Sequence, residues 1–152
     1  MQYRGNILKL DEALYTECCQ EAIDRDIPMD GKYSIRPYMS VGVALTANAF
    51  AHLPDRTTWM WTCLLISIAV GIDDNLGGAL DMAHVSHFNE QFVNCQPQGN
   101  PALKAFDMFL RDAPRYFSPL VSNLITTSML DYMSSLLLDY ETKDMQAWHF
   151  SK

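Results

Sequence analysis

A chain of 152 residues with 49% hydrophobic and 19% charged side chains has the composition of one globular domain with a real core, which excludes a disordered tail. Its formal net charge of -7, with only 11 Lys and Arg scattered along the chain, excludes nucleic acid as a direct partner, because neutralising phosphates needs clustered cations. The four cysteines, Cys18, Cys19, Cys63 and Cys95, show no Cys-x-x-Cys spacing, so neither a disulfide framework nor a zinc site is indicated, and they read as small buried hydrophobes.

The chain opens on Met1-Gln2-Tyr3-Arg4-Gly5-Asn6, which lacks the apolar core of a secretory signal, and no Asn-x-Ser/Thr acceptor follows, so the cytoplasm is the default expectation. Leu10, Leu14, Cys18 and Ala22 recur at a spacing of four and draw one apolar stripe, a helix ending near Asp26 before Pro28. Asp30-Gly31 is a turn. Pro37 opens a second helix that runs to His52, with Pro54 marking its end. Asp55 caps a third, which carries Trp59, Met60, Trp61, Cys63, Leu64, Leu65, Ile66, Ile68, Ala69, Val70 and Ile72. Apolar on nearly all sides, it has the pattern of a central helix. A transmembrane reading fails on length, since Thr62 and Ser67 interrupt the run and Arg56 and Asp73 bound it.

After Gly77-Gly78, a fourth helix is expected from about Ala79 to Asn94, with Leu80, Ala83, Phe88 and Phe92 facing the core. Asn100-Pro101 pairs a cap with a first-turn proline and opens a fifth helix through Leu103, Phe106, Phe109 and Leu110, closed by Pro114. Ser118-Pro119 repeats that signal for a sixth, from Leu120 to about Asp144 and about 37 Å long. Nothing reads as a strand, so residues 1–152 are one all-α unit.

The most informative stretch is the end of the third helix, Ile72-Asp73-Asp74. Two like charges stand where the helix dipole is already negative, and each acid there costs about 0.3–1 kcal/mol. A chain that breaks a local rule usually does so at a functional site. Paired carboxylate oxygens suit a hard cation such as magnesium, and Gly77-Gly78 lets the backbone leave without covering them.

Asp81, His84 and His87 stand three apart on one helix face, which is a zinc or iron spacing but lacks a fourth ligand, so a solvent-facing polar stripe is the simpler reading. No Gly-x-Ser-x-Gly elbow, Gly-x-x-x-x-Gly-Lys loop or Gly-x-Gly-x-x-Gly fingerprint is present. Trp59, Trp61, Phe50, Phe88 and Tyr132 read as core, although aromatic faces also stabilise carbocations.

Taken in order, Arg36-Pro37-Tyr38-Met39, the apolar helix into Ile72-Asp73-Asp74, the block Tyr116-Phe117-Ser118-Pro119-Leu120-Val121-Ser122-Asn123-Leu124-Ile125 and then Ser128-Met129-Leu130-Asp131-Tyr132 resemble the trichodiene synthase family of fungal class I terpene cyclases. The resemblance covers the chain from about Tyr33 to Asp144. It implies a helical bundle around an apolar cavity, with an aspartate-rich motif at the mouth. There magnesium would hold and activate the diphosphate of a prenyl substrate such as farnesyl diphosphate, and the allylic cation left by ionisation would cyclise inside. By correspondence Asp73 and Asp74 are the first two acids of D-D-x-x-D/E, and Ala69 and Ile66, one and two turns back, face the cavity.

The correspondence departs at two places. The third acid falls on Gly77, and no N-D-x-x-S-x-x-x-E motif occurs in the 152 residues. The resemblance therefore covers the N-terminal half of a cyclase, which implies little or no turnover by this stretch alone, no transmembrane segment, and apolar faces left uncovered. A non-catalytic helical module that self-associates as a homo-oligomer is the alternative.

Overall fold

Asp11 accepts a hydrogen bond from the Leu14 amide at 2.9 Å and so opens α1, Glu12–Asp24, in a computed structural model that describes residues 10–149. The reading of Met1 to Asn6 lies outside the described residues. The chain then forms a 3-10 turn, Arg36–Tyr38, that runs into α2, Met39–Ala49, followed by α3, Arg56–Asn75. Two short helices, α4 (Met82–Ser86) and α5 (Phe88–Val93), precede α6 (Pro101–Asp112), a 3-10 turn over Ala113–Arg115, and α7 (Pro119–His149). The architecture is all-α: among the described residues no strand forms, and the one ladder contact is an isolated bridge between Leu76 and Leu80.

The third helix is central, as its all-round apolar pattern implies. It packs on α1, α2 and α6, and its buried positions include Trp61, Leu64, Leu65, Ile68 and Ile72. Asp55 accepts the Thr58 amide at 2.8 Å, satisfying one of the free donors of the first turn. Gly42 lets α2 lie directly on α3, since a Cβ there would stand 2.2 Å from Ser67 Oγ and 2.5 Å from the Cys63 carbonyl. The far side is an aromatic layer, in which Trp61 meets Phe109, Tyr116 and Phe117 at centroid separations of 5.9, 5.7 and 5.3 Å, geometry that adds to plain burial. Arg25, anchored to Glu21 of its own helix at 2.6 Å, ties the end of α1 to the end of α6 through Asp112 at 2.9 Å, and its Nη2 also donates to the Tyr116 hydroxyl.

Several boundaries differ from expectation for local reasons. The expected fourth helix is two, because His87 takes a bridging conformation between α4 and α5, and Asp81, not Ala79, caps the first of them by accepting the Ala83 amide. Ala83 is exposed, not core. The last helix has 31 residues and is about 46 Å long, well past Asp144. Cys18 and Cys63 are buried as expected and Cys19 half-buried, but Cys95 is exposed at φ +54 in the turn that ends α5. No described helix is long and apolar enough to cross a membrane.

Candidate functional site

The carboxyl end of α3 is held by its own side chains. Asn75 Nδ2 donates to the Gly71 carbonyl at 2.7 Å, and the Leu76, Gly78 and Leu80 amides return to the carbonyls of Asp73, Asn75 and Asn75. These bonds engage the Asp73 and Asn75 carbonyls of the last turn, and the negative end of the helix carries the two exposed carboxylates of Asp73 and Asp74 beside it.

Adjacent residues on a helix point about 100° apart, and here they are separated further by their partners. Asp74 turns toward the 3-10 turn, where Tyr38 Oη donates to its Oδ2 at 2.6 Å. That bond holds the Tyr38 phenol above its ordinary range, since ionising it would set two anions against each other. Asp73 turns instead toward α7. It lines a cavity of about 360 Å³ with Leu76 and with Leu136, Asp139, Tyr140 and Lys143 of α7. The structure thus divides the acidic pair, and it brings Asp73 and Asp139 to one cavity with the Lys143 ammonium.

The face of α3 that carries Asp73 continues back along α7. Tyr132 Oη donates to the Ala69 carbonyl at 3.0 Å, and burial, followed by the charge of Asp73, pushes its phenol up to about 12. Ala69 and Ile66 are half-buried on α3 and do not line the cavity beside Asp73.

Gly77, at the third position of the motif, has φ +77, a region that residues with a Cβ rarely adopt. A Cβ there would stand 2.4 Å from Tyr140 Cε2 and 3.1 Å from Tyr140 Oη. The Tyr140 ring of α7 therefore fills the space that a third acid would enter. It also divides the cavity beside Asp73 from a second one, of about 510 Å³, whose lining includes Lys32, Gly78, Asp81 and His84.

Asp81, His84 and His87 do not converge. All three are exposed; Asp81 serves as a cap, His84 lies over Gly99, and His87 stands 3.6 Å from Glu90. Among the described residues no three His, Cys, Asp or Glu side chains gather closely enough to hold a metal. Asp73 and Asp139 are hard oxygen donors, however, and magnesium is commonly held by one or two carboxylates while water and substrate phosphates complete its shell. The donor set, all oxygen and without Cys or His, suits a hard ion of that kind better than zinc, whose sites draw chiefly on His nitrogen and Cys sulfur.

Sequence reasoning missed Asp139, Tyr140 and Lys143. Their signal is present, since Tyr132, Leu136, Tyr140 and Lys143 follow at helical spacing, but nothing local says that this stripe meets α3.

No protein-family model matches the chain. Over 141 residues, 91% of its length, it is 26% identical to alpha-cuprenene synthase COP6 of Coprinopsis cinerea, of which it spans 43%. Over 132 residues, 84% of its length, it is 30% identical to terpene synthase BipA of Cochliobolus sativus, of which it spans 38%. Its homologues are fungal terpene synthases, and the chain spans about two-fifths of the length of these relatives.

Proposed function

We propose that this chain forms the aspartate-bearing part of a class I sesquiterpene cyclase of the trichodiene synthase type, acting on a prenyl diphosphate such as farnesyl diphosphate. The observation that carries the reading is the cavity at the end of α3, which sets Asp73 and Asp139 beside Lys143 at the mouth of an otherwise apolar helical body. The homology to fungal terpene synthases supports it.

In this reading Asp73, with Asp139 across the cavity, holds magnesium, and Asp74 adds negative potential with the one oxygen that Tyr38 leaves free. Bound magnesium supplies Lewis-acid stabilisation of the charge that develops on a departing diphosphate. Lys143 offers a mobile donor to phosphate oxygen from the same cavity wall. Ile66 and Ala69 belong to the apolar wall beyond, where exclusion of water protects a carbocation. In this reading residues 1–152 form a single partial terpene-synthase-like domain, placed in the cytoplasm.

The 152 residues contain no second metal motif, and stabilisation of the leaving group is usually the largest catalytic contribution. Little or no cyclic product is therefore expected from this stretch with farnesyl diphosphate and magnesium. Binding is the sharper test. The melting temperature of the chain should rise only when magnesium and inorganic pyrophosphate are both present, reflecting about 2.7 kcal/mol of added stability at a hundredfold excess over Kd, and Asp73→Asn should abolish the rise. No rise with both ligands would overturn the reading.

A second reading rests on Leu120, Leu124, Leu138 and Met145 of α7, which are 59–69% exposed and leave apolar surface for a second copy or another helix. Concentration-dependent mass without any effect of the two ligands on melting would favour that helical association module.

A further inference from the structure

We propose that Tyr38 is the positioning residue of the acidic pair, a role that deepens the reading above and rests on it. Four atoms make a continuous relay on the outer side of α3. Asn75 Nδ2 donates both to the Gly71 carbonyl at 2.7 Å and to Tyr38 Oη at 3.1 Å, and Tyr38 Oη donates to Asp74 Oδ2 at 2.6 Å. The direction of the relay is set by chemistry. The Asn75 amide nitrogen has only hydrogens to give, so the phenol oxygen must accept from it, and the phenol hydrogen is left for an acceptor, the Asp74 carboxylate.

The ring is seated as well as the hydroxyl. Gly71 stands one turn before Asn75, and a Cβ there would lie 3.1 Å from Tyr38 Cδ2 and 3.2 Å from Cε2, so the absence of a side chain lets the phenol rest on the helix surface. Pro37 and the 3-10 turn Arg36–Tyr38 bring it there, and the Tyr38 amide donates to the Ile35 carbonyl at 2.9 Å. Tyr38 is half-buried against α3, while its hydroxyl and the Asp74 carboxylate meet at the exposed rim of the helix end.

The relay has one consequence for the site. It engages one oxygen of Asp74 and ties that carboxylate to the 3-10 turn, outside the cavity, so Asp73 is the acid presented to the cavity that Asp139 and Lys143 line. Two adjacent carboxylates free to turn would instead repel each other into several arrangements, each paid for when a cation orders them.

The test uses the 152-residue chain, with magnesium and inorganic pyrophosphate as probes and the ligand-dependent rise in melting temperature as readout. Tyr38→Phe keeps the ring over Gly71 and removes only the hydroxyl. It is expected to leave melting without ligands within about 2 °C of the parent chain while weakening apparent affinity for magnesium with pyrophosphate 3- to 10-fold. In an Asp74→Asn background, Tyr38→Phe should have no further effect, because the bond it removes is no longer made to a charge. Asn75→Ala, which frees the phenol proton to turn, should weaken binding in the same direction by 2- to 3-fold and supplies the result if Tyr38→Phe does not fold. Affinity unchanged in Tyr38→Phe, or equally reduced with and without Asp74, would overturn the proposal while the Asp73→Asn loss still stood. If Asp73→Asn keeps the full ligand effect, it is the parent reading that fails.

Discussion

Gly77 and Gly78 are neighbours in one exposed loop, yet the structure assigns them opposite sensitivities, and alanine at each separates the two. At Gly77 the backbone sits at φ +77, and holding a residue with a Cβ there costs about 1–2 kcal/mol. The new methyl would also stand 2.4 Å from Tyr140 Cε2, so the ring must move. Tyr140 is 41% exposed and can swing toward solvent, which limits that further cost to about 0.5–1.5 kcal/mol, at the low end of overpacking. Gly77→Ala is therefore expected to lose about 1.5–3.5 kcal/mol in urea unfolding. At Gly78 the nearest atom to a Cβ is the Asn75 carbonyl at 3.7 Å, ordinary contact, and φ is not positive. Gly78→Ala should be neutral or stabilise by up to about 1 kcal/mol, because alanine reduces the freedom of the unfolded chain. Removing the ring with Tyr140→Ala should recover the steric part at Gly77 and leave the backbone part, a coupling of about 0.5–1.5 kcal/mol in a double-mutant cycle. Equal losses at the two glycines, or a cycle with no coupling, would refute the reasoning. The same numbers bear on Gly77→Asp, the change that would complete the acidic motif: it should destabilise, and trimming Tyr140 with it should recover only the steric part.

Gly42→Ala should cost about 3 kcal/mol in the same assay, because the clash at 2.5 Å is with the Cys63 backbone carbonyl, which no rotamer change relieves, and α2 must lift from α3. Tyr132 gives a pH signature. Its folded value of about 12 lies above the ordinary 10, so the stability it contributes is fully present below pH 10 and is lost as pH rises from 10 to 12, by about 2–3 kcal/mol. A Tyr132→Phe chain should show a correspondingly smaller decline across that window, and an identical decline would remove Tyr132 as its source. A thiol reagent added to the native chain should label Cys95 fastest, whereas Cys18, whose thiol is pushed up by the neighbouring Cys63 thiol and by burial, should react only on unfolding.

The amino-acid sequence by itself determined the all-α class, the central place of the third helix and the caps that start α3 and α6. Apolar spacing, prolines and Asp or Asn caps act within a turn or two of chain, and Asp55 and Asn100 cap α3 and α6 as read. It also marked Asp73 and Asp74, because an unfavourable charge at a helix end is a local fact. What surrounds those acids was decided elsewhere. Asp73 faces Asp139 and Lys143, 66 and 70 positions later, Asp74 is bound by Tyr38, 36 positions earlier, and the side-chain space at Gly77 is occupied by Tyr140 of α7. Each of these depends on how α7 and the 3-10 turn pack on α3, and packing follows the burial of whole apolar faces, which local periodicity describes but does not pair. The sequence marks where charge is strained, and only tertiary packing decides which groups relieve it.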